Sequence, residues 1–135
     1  PDRWRTFINP RLSRMVDRCH ANGLPIIFHS CGNYLAILDD LLELGIDGLE
    51  SLQPEALDLA ELKRRTAGKV FLVGGIGVQS TLFTGTPEEV RSVTRGLLTE
   101  MGAGGGYVIS PSKPLHEQDL PIENIAAFLD TIMHQ

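Results

Sequence analysis

Four short apolar runs, each followed by a segment of helical period, recur along this chain. They begin near residues 25, 48, 70 and 106. Strand and helix alternating over short connections imply parallel strands joined by right-handed crossovers. The order reads α-βα-βα-βα-βα, an α/β class of chain. Four βα units are half of a (β/α)8 TIM barrel, which usually takes about 250 residues. A small open doubly wound sheet is the competing fold. It would have to explain why one helix follows every strand.

The local signals place the elements. A helix is expected over residues 2–22, interrupted by Pro10, with Leu12, Met15, Val16 and Cys19 as its buried stripe. The first strand is expected from Pro25 to Cys31, and being apolar on both faces it should be covered on both. Helix follows over 33–44, capped by Gly32 or Asn33, then a short strand from Gly48 to Leu52. Pro54 suits the first turn of the next helix, which ends at Gly68. Val70 to Val73 form a buried strand, followed by Gly74-Gly75-Ile76-Gly77 and a loop over 77–86. Thr86-Pro87-Glu88-Glu89 is a capping box with proline at the first helical position. Val90, Val93, Leu97, Leu98 and Met101 continue that helix as its inner face. A strand from Tyr107 to Ser110 and a helix over 121–132 close the chain, with Ile122, Ile125, Phe128, Leu129 and Ile132 facing inward.

Composition narrows the function classes. The formal charge of −5 argues against a nucleic-acid binder. No stretch approaches the roughly 20 apolar residues of a membrane span, and no signal peptide is visible. Cys19 and Cys31 stand in different contexts and do not form a disulfide framework, which fits a reducing cytoplasm. The chain opens on Pro1-Asp2 inside an amphipathic pattern, as a piece of something longer would. Residues 1–135 are therefore expected to be one fragment of a larger domain.

Parallel βα proteins keep their chemistry at the C-terminal ends of the strands. Here those ends carry His29 and Cys31; Glu50, Ser51 and Gln53; Gly74, Gly75 and Gln79; and Ser110, Ser112 and Lys113. On a strand, His29 and Cys31 would share one face. They are either metal ligands or a hydrogen-bonded polar pair. Zinc needs three or four ligands, so a third donor would have to be Glu50 or His116. Lys113 either binds a substrate carboxylate, acts as a base, or is an exposed loop lysine. Gly74 to Gly77 lack the spacing of a phosphate fingerprint, and close backbone approach to a substrate is the better account. The glycines of 102–106 precede a strand and fall on the opposite rim.

With these residues placed, the chain resembles the C-terminal half of the uroporphyrinogen decarboxylase superfamily, which also contains the cobalamin (corrinoid)-dependent methyltransferases. The carriers are Gly23-Leu24-Pro25-Ile26-Ile27-Phe28-His29-Ser30-Cys31-Gly32-Asn33, Ser51-Leu52-Gln53-Pro54 and Gly74-Gly75-Ile76-Gly77-Val78-Gln79. Gly85 to Arg91, Gly105 to Ser112 and Pro121-Ile122-Glu123-Asn124-Ile125 belong with them. The resemblance implies a (β/α)8 barrel. It implies that His29 and Cys31 bind zinc as in the methyltransferase branch, where a further cysteine follows the last strand and the zinc activates a thiol acceptor. That third position falls near Lys113, where there is no cysteine, and an aspartate is expected where Gly77 stands. On this reading Glu50 and Lys113 are the catalytic candidates, and Gln53, Gly75, Gln79 and Ser112 bind the small-molecule substrate, with a corrinoid protein as partner.

Two further functions stay open. One is decarboxylation of tetrapyrrole carboxylates, as in porphyrin biosynthesis, which needs a rim able to neutralise several acetates. Only Lys113 and Arg91 offer that. The other is a non-catalytic half-barrel, inactive by itself, that self-associates or pairs with an N-terminal half through its open sheet edges.

Overall fold

A computed structural model describes residues 1–115 and 119–134 of the chain. The elements are α1 (Asp2–Phe7), α2 (Asn9–His20), β1 (Ile27–His29), α3 (Leu38–Glu43), β2 (Gly48–Leu52), α4 (Leu59–Thr66), β3 (Phe71–Ile76), α5 (Pro87–Glu100), β4 (Tyr107–Pro111) and α6 (Ile122–Met133). All three strand pairings are parallel, and the sheet order is β1-β2-β3-β4. That order decides between the two candidate folds. A doubly wound sheet reverses its strand order at a switch point and carries helices on both faces. Here the order never reverses, and the helices gather on one face, as in part of a (β/α)8 barrel.

The core lies between the sheet and that helical layer. Leu49, Leu52 and Leu72 point into it and meet Val16 of α2, Leu38 and Leu41 of α3, and Leu62 of α4. A second cluster joins Ile76, Val78 and Leu82 to Val90 of α5 and to Ala127 and Phe128 of α6. The other sheet face is open. Ile27 is 49% exposed and Val108 is 55% exposed, so the sheet is not covered on both sides within this chain, contrary to the double covering expected of its first strand.

Several boundaries differ from expectation, each for a local reason. The N-terminal helix breaks at Ile8, and Pro10 sits in the first turn of α2, where its missing N–H costs nothing. Met15 is 59% exposed, while Val16 carries the contact. β1 is three residues long, because the chain leaves the sheet after His29. A 3-10 turn over Leu35–Ile37 precedes α3, and the Asn33 carboxamide oxygen accepts from Leu35 N at 3.0 Å. α4 starts at Leu59 rather than at Pro54, because Asp58 caps it by accepting from Glu61 N at 2.9 Å.

β3 runs on through Gly74 and Gly75, which adopt φ of +133° and +103° inside the strand. The expected loop over 77–86 contains one helical turn, Val78–Leu82. The capping box of Thr86 and Glu89 forms as expected. In α6 the inward stripe is Asn124, Ala127, Phe128 and Thr131, while Ile122 and Leu129 are exposed. Asn124 turns inward because its Nδ2 donates to the carbonyls of Leu82 and Gly85, at 3.0 and 2.7 Å. No helix among the described residues is long and apolar enough to cross a membrane.

Candidate functional site

The site is built at the C-terminal ends of β1 and β2 and on the segment that follows β4. His29 and Glu50 are register partners in the parallel β1-β2 pair, so their side chains project side by side from the open face. His29 Nδ1 lies 3.0 Å from Glu50 Oε2. His29 Nε2 lies 3.8 Å from Cys31 Sγ on the other side of the ring. Glu50 therefore holds one imidazole nitrogen and leaves the second facing the sulfur. The Glu50 hydrogen bond, and after it the contact with Cys31, raises the His29 pKa above its ordinary value.

Cys31 has a second partner. The Ser51 hydroxyl is 3.4 Å from Sγ and 2.8 Å from the carbonyl of Ser112, to which it donates while Cys31 is a thiol, and its one proton is within reach of the sulfur when the thiol ionises. The Ser51 hydrogen bond first, then His29, holds the Cys31 thiol below its ordinary pKa, and the charge of Lys113 acts in the same direction. Ser51 reaches both partners because β2 carries a register shift between Glu50 and Leu52. Ser51 takes φ of +70° there, and it is the one non-glycine residue with positive φ among those described. A bulge of this kind re-aims a side chain beside an active site and stores backbone strain.

The expected site residues then divide into two groups. His29, Glu50, Ser51, Ser112 and Lys113 line one cleft of about 350 Å³ together with Pro111, Pro114 and Leu115, while Cys31 does not line it and touches it only through His29 and Ser51. Gln53 and Gln79 lie outside it and bond to each other, Nε2 of Gln53 donating to Oε1 of Gln79 at 3.3 Å. Gln53 Oε1 also accepts from Gly32 N at 3.3 Å, which ties the backbone after Cys31 to β2. Ser112 is 2% exposed, and its Oγ accepts from Val78 N at 3.2 Å, so its side chain fastens the rim. Gly75 does not line the cleft. A Cβ there would fall 2.5 Å from the Tyr107 hydroxyl, so its missing side chain makes room for Tyr107, which donates to the Gly74 carbonyl at 2.8 Å. The glycines of 104–106 line a separate crevice with Lys63 and Lys69 at the opposite rim, as their place before β4 implied.

A tetrahedral zinc with one nitrogen and one sulfur ligand sets those atoms about 3.5 Å apart. The 3.8 Å between His29 Nε2 and Cys31 Sγ fits two corners of such a site. A carboxylate on the far nitrogen of a ligating histidine is the usual outer support of a zinc site. Among the described residues no group of three His, Cys, Asp or Glu side chains is placed to hold a metal. Glu50 lies on Nδ1, away from the sulfur, and His116 lies outside the described residues.

Two residues of this rim escaped the sequence reading as site members. The sequence puts Ser51 at the rim without marking a role for it, and it carries no signal for Glu55. Nothing in the sequence marks a serine for positive φ. Glu55 follows the strand end by a few residues, but its partner Ser80 is 25 residues away.

The family profile described as Uroporphyrinogen decarboxylase (URO-D) matches residues 1–135. The methylcobamide:CoM methyltransferase MtaA of Methanosarcina barkeri is 30% identical over 129 residues, covering 96% of this chain and 35% of that protein. A uroporphyrinogen decarboxylase of Shewanella halifaxensis is 26% identical over 133 residues, covering 96% and 36%. Among solved structures, a methyltransferase from Methanosarcina mazei superposes with a TM-score of 0.76 at 24% identity, over 97% of this chain and 36% of that one. The chain thus spans about a third of the length of the curated relatives it matches. A profile matched from end to end, on a parallel sheet of unreversed order, leads to one conclusion: the chain belongs to the uroporphyrinogen decarboxylase (URO-D) family.

Proposed function

We propose that this chain forms part of the catalytic rim of a methyl-transferring member of the family, with His29 and Cys31 as two donors to a zinc ion. The observation that carries the reading is the His29 Nε2 to Cys31 Sγ approach of 3.8 Å with Glu50 seated behind the ring. The methylcobamide:CoM methyltransferase relative supports it, and by that relation the methyl donor is a corrinoid and the acceptor a thiol. When bound, zinc supplies Lewis acidity that lowers the pKa of a thiol held on it.

The chain's own residues do the rest. Glu50 accepts the Nδ1 proton of His29 and keeps the Nε2 lone pair turned toward Cys31. Ser51 fixes the direction of the Cys31 sulfur. Lys113 sets a positive charge on the cleft wall, where it attracts an anionic group of the substrate. Gln53 and Gln79 brace the backbone that presents Cys31. Remaining donors come from His116 or from parts of a longer protein.

Metal analysis of the full-length protein tests the reading. About one zinc per chain is expected, lost on Cys31→Ser. Absence of zinc, with methyl transfer to a thiol unchanged in Cys31→Ser, overturns it. The tetrapyrrole decarboxylase alternative is weaker because Arg91 pairs with Glu88 at 3.6 Å on α5, leaving Lys113 as the cationic side chain of the cleft. Residues 1–135 form one cytoplasmic half-barrel unit whose open face, with Ile27 and Val108, needs a cover. Expressed alone the unit is inactive and self-associates, and a clean monomer in sedimentation velocity would overturn that part.

A further inference from the structure

The helical turn Val78–Leu82, which carries Gln79, starts after Gly77, a residue with no side chain to cap it. The first N–H groups of a helical turn have no partner within it and need an acceptor. The usual one is a short polar side chain at the position before the turn, accepting from the N–H two or three residues on. Here Ser80 N donates to Glu55 Oε1 at 3.0 Å, and Ser80 Oγ donates to the same oxygen at 2.8 Å. Glu55 comes from the segment after β2, a different loop of the rim.

Gly77 shows what the carboxylate replaces. Its backbone has φ of −66° and ψ of 121°, a conformation open to any residue. Glycine is not required there by the backbone. A Cβ built on Gly77 would fall 2.6 Å from Glu55 Oε1 and would also strike Ser80 Oγ. The carboxylate thus fills the space from which a side chain of residue 77 would cap the turn. Burial opposes ionisation of Glu55, yet bonds from the Ser80 hydroxyl and from the backbone of Ser80 and Gln79 outweigh it and hold the carboxyl below its ordinary value.

The turn so capped presents Gln79 to Gln53, and Gln53 in turn accepts from Gly32 N, the residue after Cys31. The geometry points to Glu55 as a positioning residue of the rim: it caps in trans the turn that begins after Gly77, and through Gln79 and Gln53 it sets the backbone that presents Cys31. This role stands apart from the zinc reading and is tested separately.

The test is a swap of the cap between the two loops in the full-length protein. It is followed by thermal unfolding and by the side-chain amide resonances of Gln53 and Gln79. Glu55→Ala is expected to lower the Tm and to shift both amide resonances. Gly77→Asp alone is expected to lower the Tm as well, because two carboxylates are forced into one space. The combination of Glu55→Ala with Gly77→Asp is expected to bring both resonances back toward their original positions and to recover more than about half of the Tm lost in Glu55→Ala. Additive losses in the double variant, or unmoved amide resonances in Glu55→Ala, overturn the inference. Glu55→Gln keeps an acceptor oxygen and serves if the alanine variant does not fold. It is expected to shift the Gln79 amide through loss of charge, and no shift there also overturns the inference.

Discussion

Glu50 Oε2 sits 3.0 Å from His29 Nδ1, across the register of the β1-β2 pair, and so turns the opposite nitrogen toward Cys31. This contact raises the His29 pKa above 6.5. The pair therefore stabilises the fold fully below that value, and the contribution is lost as pH rises through the folded pKa. Glu50→Gln removes the largest cause, and in the metal-free protein, where no ion occupies Nε2, His29 is expected to titrate at lower pH, as read from its ring resonances. The change in stability should stay below about 1 kcal/mol, since both side chains are roughly half-exposed.

Ser51 combines two effects that substitutions separate. Ser51→Ala removes the donor to the buried Ser112 carbonyl and keeps a Cβ at positive φ. It should destabilise by about 1–3 kcal/mol, the usual result of leaving a buried polar group unpaired. Ser51→Gly loses the same bond but relieves the left-handed strain, so it should be about 1 kcal/mol more stable than the alanine variant. Denaturant unfolding of the two variants checks the order, and the reverse order would show that φ is not strained.

Asn124→Ala strips the two donors that hold the Leu82 and Gly85 carbonyls. A loss of about 2–3 kcal/mol is expected, near the upper end for buried hydrogen bonds. Amide exchange should quicken over residues 82–86 before it quickens in the sheet. Uniform quickening would place the role of Asn124 in the α6 core instead.

Glu55 carries a pH dependence of its own. Its carboxyl lies below the ordinary value of 4.5, so its contribution is present above that value and is lost as pH falls through the folded pKa. The Tm difference between the parent protein and Glu55→Gln should therefore shrink as pH drops from about 6 to about 3. A difference that stays constant over that range would mean that the charge of Glu55 plays no part in the cap.

The element order, the parallel sheet and the capping box at Thr86 were legible because each rests on residues close together in the chain. The rim was legible for a related reason. Strand ends and the residues just beyond them share one side of a parallel sheet, which brings His29, Glu50 and Lys113 to one cleft. What the sequence could not decide was which side chains meet. His29 finds Glu50 across 21 residues, Ser51 finds Ser112 across 61, and Ser80 finds Glu55 across 25. Nor could it place the bulge that turns Ser51 to positive φ, run β3 through its glycines, or turn α6 so that Asn124 faces inward. Periodicity and caps are set by neighbours along the chain. Partners, bulges and helix rotation are set by packing between segments, and only the folded sheet with its single layer of helices brings those segments together.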